Sequence, residues 1–165
     1  MAERRFAPNA LRAQEAAPLT GSVSFIIGPA RRLGRYYELK VWKETALSTD
    51  TLAGVADYVI APNRAYMATP LLCVAEAKKD DFERGQAQCL AEMVVCQWNN
   101  RQRGYEIEVY GIVSNGQVWQ FYRLTQINDV YESTLYTVDD LPDLLGALDS
   151  VCGECAKNVR ALDGP

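Results

Sequence analysis

Asp57, Glu76 and Lys78 are the residues of this chain whose types and spacing point to chemistry. Glu76 and Lys78 are two apart, so on an extended strand both side chains leave the same face. If the segment 55–60 pairs antiparallel with 71–78 so that Asp57 stands opposite Glu76, the hairpin midpoint falls between Tyr66 and Met67. That point lies inside a proline-bounded stretch, Pro62 to Pro70, that reads as the connecting loop. The same register pairs Val59 with Val74 and Val55 with Lys78, and period-2 alternation places all six on one face. Two carboxylates flanked by valines repel each other and lose hydration, so a cation is expected between them. Mg2+ or Mn2+ suits such hard oxygen ligands, keeps several waters and can bind a phosphate oxygen. Lys78 would stabilise charge developing on that phosphate or orient the attacking water. These parts compose metal-assisted phosphodiester hydrolysis, although a plain cross-strand salt bridge between Asp57 and Lys78 needs only the same residues.

The elements around these residues follow from periodicity and turn chemistry. A strand is expected over Tyr37 to Trp42, then the hairpin just described, then a long helix from Phe82 to about Gln102 with Phe82, Cys89, Met93 and Cys96 on its buried stripe. Gly85, Gln88 and Glu92 share the flank beside that stripe, so Gln88 is expected to reach the edge of the site, while Gly85 permits close approach one turn earlier. Ile107 to Val113, a Ser114-Asn115-Gly116 turn and Val118 to Leu124 predict a second hairpin. A short strand over Val130 to Tyr136 and a last helix carrying Leu141, Leu144, Leu145 and Leu148 complete the pattern, with the tail after Val159 expected to fray. Before the first strand, residues 1–21 read as a flexible arm and 23–33 as a helix. The order implies one α/β domain over 22–160, a mixed β-sheet flanked by helices.

Composition narrows the function classes. A chain of 165 residues buries roughly 70% of its unfolded surface, enough for one real core. The formal charge of -4 argues against coating nucleic acid by bulk electrostatics, so any such role has to be local. With no histidine at all, imidazole-based nucleases, Ser-His-Asp hydrolases and zinc peptidase motifs are excluded, and no glycine-rich phosphate loop is present. Of the five cysteines, Cys73, Cys89 and Cys96 lie in apolar strand or helix patterns, and all five are expected to be reduced; Cys152 and Cys155 lack the further ligands that a zinc site requires. No apolar run is long enough to span a membrane, and a cytoplasmic location is the expectation.

Three stretches together carry a resemblance: Gly54 to Ile60 around Asp57, Pro70 to Lys79 around Glu76-Ala77-Lys78, and Gly85 to Met93 around Gln88. Their ordered set resembles the PD-(D/E)XK nuclease superfamily and, within it, small bacterial members frequent in cyanobacteria that share Glu-Ala-Lys followed by Gln-Cys-Leu-Ala-Glu-Met. Tyr110 to Trp119 continues the likeness. The resemblance implies a restriction-endonuclease-like core, Asp57 and Glu76 as metal ligands with the Ala77 carbonyl as a third, and Lys78 and Gln88 as supporting residues. It implies Mg2+ (or Mn2+) as cofactor and DNA as partner, with a homodimer as a further possibility because cutting both strands favours two-fold symmetry. Two positions depart from the pattern. Ala56 stands where a proline often precedes the first aspartate, and the position of the first-helix glutamate falls near Ser24, or at Glu15 if that helix lies earlier. Read this way, the chain is a Mg2+-dependent deoxyribonuclease, a catalytically weak relative used as a nucleic-acid or protein binding module, or a metal-free structural protein.

Overall fold

Runs of β-branched and aromatic residues in alternating order build a sheet, and two long helices cover its faces. The computed structural model describes residues 35–78 and 81–163; the arm over 1–21, the helix over 23–33, Ser24 and Glu15 lie outside the described residues. The elements run β1 (Leu39–Ser48), β2 (Ala53–Pro62), β3 (Cys73–Ala77), α1 (Phe82–Gln102), β4 (Val109–Ser114), β5 (Val118–Leu124), β6 (Val130–Glu132), β7 (Tyr136–Thr137) and α2 (Leu141–Asp163). The fold is α/β, with a seven-stranded mixed sheet in the order β1-β2-β3-β4-β5-β6 and β7 also pairing β5. β3 and β4 run parallel, which requires a crossover between them, and α1 is that crossover.

Successive strand residues feed two separate cores. Val59, Val74 and Val113 pack with Cys89, Met93 and Cys96 of α1. Their neighbours Ile60, Cys73 and Ile112 pack with Leu144, Leu148 and Cys155 of α2. The period-2 alternation of three central strands thus assigns one helix to each face. All five cysteines are free and buried within these cores.

The alternation is not strict in the first hairpin. Ala56 and Val59, an odd number of residues apart, belong to the same core as Leu47, and Trp42 packs against it. No residue is inserted, since the pairing Lys43↔Tyr58 and Thr45↔Ala56 is continuous. The phase slips instead around Glu44, which adopts a left-handed backbone (φ 46°) opposite Asp57. Val55 is therefore turned to solvent, 55% exposed, and does not share the face of Val59 as strict alternation predicted.

Other boundaries differ for local reasons. β1 runs on to Ser48 because pairing with β2 continues after its apolar alternation has ended at Trp42. β3 starts at Cys73, and Lys78 follows its last residue, Ala77. The stretch over 130–136 divides into two short strands at Ser133, whose N–H donates to Phe121 O and whose hydroxyl donates to Thr134 O. α2 continues past Val159, where fraying was expected, because Cys155, Ala156 and Val159 are buried in the core and hold its last turns.

Before β3, Leu71 is anchored to the far end of α1. Asn100, fully buried, donates its amide to Leu71 O and accepts from Leu71 N, both at 2.7 Å. Asn100→Ala leaves both main-chain groups buried without a partner, and each such loss costs about 1–3 kcal/mol. Chemical denaturation should show a loss of about 2–6 kcal/mol with an unchanged slope.

Candidate functional site

Asp57 and Glu76 are brought together by the β2–β3 register. The pairs Tyr58↔Ala75, Val59↔Val74 and Ile60↔Cys73 continue directly to Asp57 opposite Glu76. Glu76 has no solvent exposure. Its Oε1 accepts the backbone N–H of Asp57 at 3.0 Å, and Asp57 Oδ2 in turn accepts the backbone N–H of Ala77 at 2.9 Å. The two carboxylates are therefore gripped reciprocally by each other's strand.

Lys78 closes the group. Its Nζ stands 3.3 Å from Asp57 Oδ2 and 3.0 Å from Glu76 Oε2. The second contact is an ion pair without hydrogen-bond alignment, so Glu76 Oε2 has no hydrogen-bond partner although it is buried. The Lys78 backbone is fixed by its N–H on Ser114 O at 2.9 Å, which prolongs the parallel β3–β4 pairing. Its stem crosses α1 at Gly85, where a Cβ would lie 3.0 Å from Lys78 Cγ and 3.2 Å from Val113 Cγ1. Glycine at that helix position thus makes room for the lysine. Burial opposes the charge of Lys78, but its pairing with Glu76 and then with Asp57 outweighs it and raises its pKa above the ordinary lysine range.

Gln88 engages the site at one remove. Its amide donates to Glu92 Oε1 at 3.0 Å and, at 3.4 Å, to the Val55 carbonyl on β2. Glu92 is 5% exposed, and its Oε2, like Glu76 Oε2, is buried without a hydrogen-bond partner. Burial, reinforced by the charge of Glu76, pushes the Glu92 carboxyl up to about 8. Sequence reasoning placed Glu92 on the flank with Gly85 and Gln88 without giving it a role. The available signal was its position four residues after Gln88, between core residues, where an unsupported carboxylate would be costly.

A second polar group flanks the same sheet row. Glu76 pairs with Val113 and Val113 with Gln120. Gln120 Oε1 accepts from Gln86 Nε2 and from the Tyr122 hydroxyl, at 2.6 and 2.8 Å, so these polar groups satisfy one another.

Among the described residues, no group of three or more His, Cys, Asp and Glu side chains forms an arrangement that could hold a metal ion. A cation here would rely on the Asp57 and Glu76 carboxylates, the Ala77 carbonyl and water. That donor set suits Mg2+, which commonly takes one or two carboxylates and retains its waters. Comparison with family models, curated proteins and solved structures gives no match, so the chemistry has to be argued from these residues.

The raised Glu92 carboxyl fixes the sign of a pH effect. Its folded form binds the proton more tightly than the unfolded chain, so this contribution to stability is complete below the ordinary glutamate range near 4.5 and is lost as pH rises through about 8. In metal-free buffer, Glu92→Gln should lose less stability than the parent between pH 5 and pH 8, measured as the change in unfolding midpoint.

Proposed function

We propose that this protein is a divalent-cation-dependent phosphodiesterase acting on DNA within the cytoplasm. The observation that carries the reading is the fully buried Glu76 carboxylate, opposite Asp57, with Lys78 Nζ 3.0 Å from the one and 3.3 Å from the other. A Mg2+ ion bound by Asp57, Glu76 and the Ala77 carbonyl would supply a polarised phosphate oxygen and an acidified water. Asp57 and Glu76 orient the reactive centre, and their mutual backbone hydrogen bonds fix that orientation in advance of binding. Lys78, held in its charged form, places an ammonium where negative charge builds on the phosphate. The placement of these residues at the end of β3, beside a parallel neighbour and under the start of α1, supports a restriction-endonuclease-like arrangement. No described helix is long and apolar enough to cross a membrane.

One observation favours a second reading, a catalytically weak binding module. Lys78 already answers both carboxylates, leaving a closed ion-pair group that is stable without a cation. The two readings differ in whether a cation, once admitted, supports cleavage.

Metal titration decides between them. Mn2+ or Mg2+ should raise the melting temperature, with a stabilisation of about 2.7 kcal/mol when the free ion is a hundredfold above its Kd. Asp57→Asn keeps an acceptor for the Ala77 N–H and should fold, yet lose that shift. With single- and double-stranded DNA, Mg2+-dependent cleavage should fall on the order of a hundredfold in Lys78→Ala. Metal binding without cleavage selects the binding module. No shift at millimolar metal retires the phosphodiesterase reading.

A further inference from the structure

Glu92 is a deeply buried acid in contact with the site, and its surroundings explain its presence poorly on stability grounds alone. It sits among Cys89, Met93 and Cys96 on the buried side of α1. A leucine there would fill similar space with no polar atoms to satisfy, and such replacements are often neutral or stabilising. Glu92 Oε2 is buried with no hydrogen-bond partner, while its other oxygen is fixed by Gln88. Gln88 is itself tied to β2 at Val55, two residues before Asp57. A line of hydrogen bonds therefore runs from the β2 backbone through Gln88 to Glu92; Glu76, which shares the helix-facing side of β3 with Val74 and is bonded to β2 at the Asp57 N–H, likewise has a buried Oε2 without a partner.

We propose that Glu92 is a positioning residue of the site: held by Gln88, it fixes the buried Glu76 carboxylate in the orientation that shares a divalent cation with Asp57. This rests on the divalent-cation reading of the site. Glu76 is held from the sheet side by the Asp57 N–H and by Lys78, and Glu92 is the buried acid that α1 sets against this face. When a cation draws Lys78 away from the carboxylates, Glu92 remains to hold Glu76 in place. Outer partners of this kind typically contribute 10- to 100-fold to metal affinity without touching the ion.

Calorimetric Mn2+ titration of the full chain, with apo melting temperatures as the fold control, tests the role. Glu92→Leu should weaken Mn2+ binding about 10- to 100-fold while the apo melting temperature holds or rises. Glu92→Gln, which retains hydrogen-bonding capacity at the same position, should restore affinity to within severalfold of the parent. Gln88→Ala should weaken binding in the parent but add nothing in the Glu92→Leu background, because it acts through Glu92. Parental affinity in Glu92→Leu overturns the proposal, as does a Glu92→Gln variant as weak as Glu92→Leu. If Glu92→Leu does not fold, Gln88→Ala decides, and unchanged affinity there overturns the proposal. A parent that takes up no Mn2+ overturns the cation reading and this role together. Binding abolished by Asp57→Asn but untouched at Glu92 overturns the role of Glu92 alone.

Discussion

A carboxylate with no solvent exposure in the middle of a sheet face is the constraint around which this structure is organised. Glu76 would ordinarily be excluded from such a position by the loss of hydration. It is retained because the backbone of β2 answers it through the Asp57 N–H and Lys78 through its ammonium, while burial and the charge of Glu76 push the Glu92 carboxyl of α1 toward its neutral form. Each answer imposes a further requirement. Lys78 needs an open path across the helix, which Gly85 provides, and a fixed backbone, which the Ser114 carbonyl provides. Glu92 needs Gln88, and Gln88 needs β2 close to the helix.

Burial also sets the strength of these interactions. An exposed ion pair between Lys78 and Asp57 would contribute little, since water and salt screen it. Beside Glu76 the same charges act at low effective dielectric, where pairing and repulsion both grow. Like charges at Glu76 and Glu92 cannot both be tolerated there without a proton or a cation to separate them, and this makes the group responsive to whatever positive species is present.

Much of this was legible in the sequence because its signals are local. The β2–β3 register followed from the two prolines and the period of the valines, and the helix from Phe82 to Gln102 from the spacing of Cys89, Met93 and Cys96; the cap at its start, where Asp81 accepts from Arg84 N, is seen only in the structure. The turn at Asn115-Gly116 was equally plain, with Gly116 at φ 92°. What escaped depends on tertiary contact. The slip of alternation at Glu44 leaves no compositional trace, since a left-handed glutamate is chosen by the pairing of two strands and not by propensity. The continuation of α2 through its last turns reflects packing of Ala156 and Val159 beneath it. Gln88 was readable as a residue near the site, but that its amide goes to Glu92 required the helix to be docked on the sheet.

The parallel pairing of β3 with β4 also orders events in time. β2 and β3 are joined by a short loop, so the approach of Asp57 to Glu76 closes few residues of chain and can form early. The pairing of β3 with β4 must wait for the chain of α1 to be ordered between them, as must the docking of Gln88 and Glu92. The acidic pair is thus assembled by local contacts and then sealed by distant ones. During that interval Glu76 faces water, fully hydrated, and its desolvation is completed only as the helix docks. Docking of α1 is therefore the step that completes the chemical environment of the site.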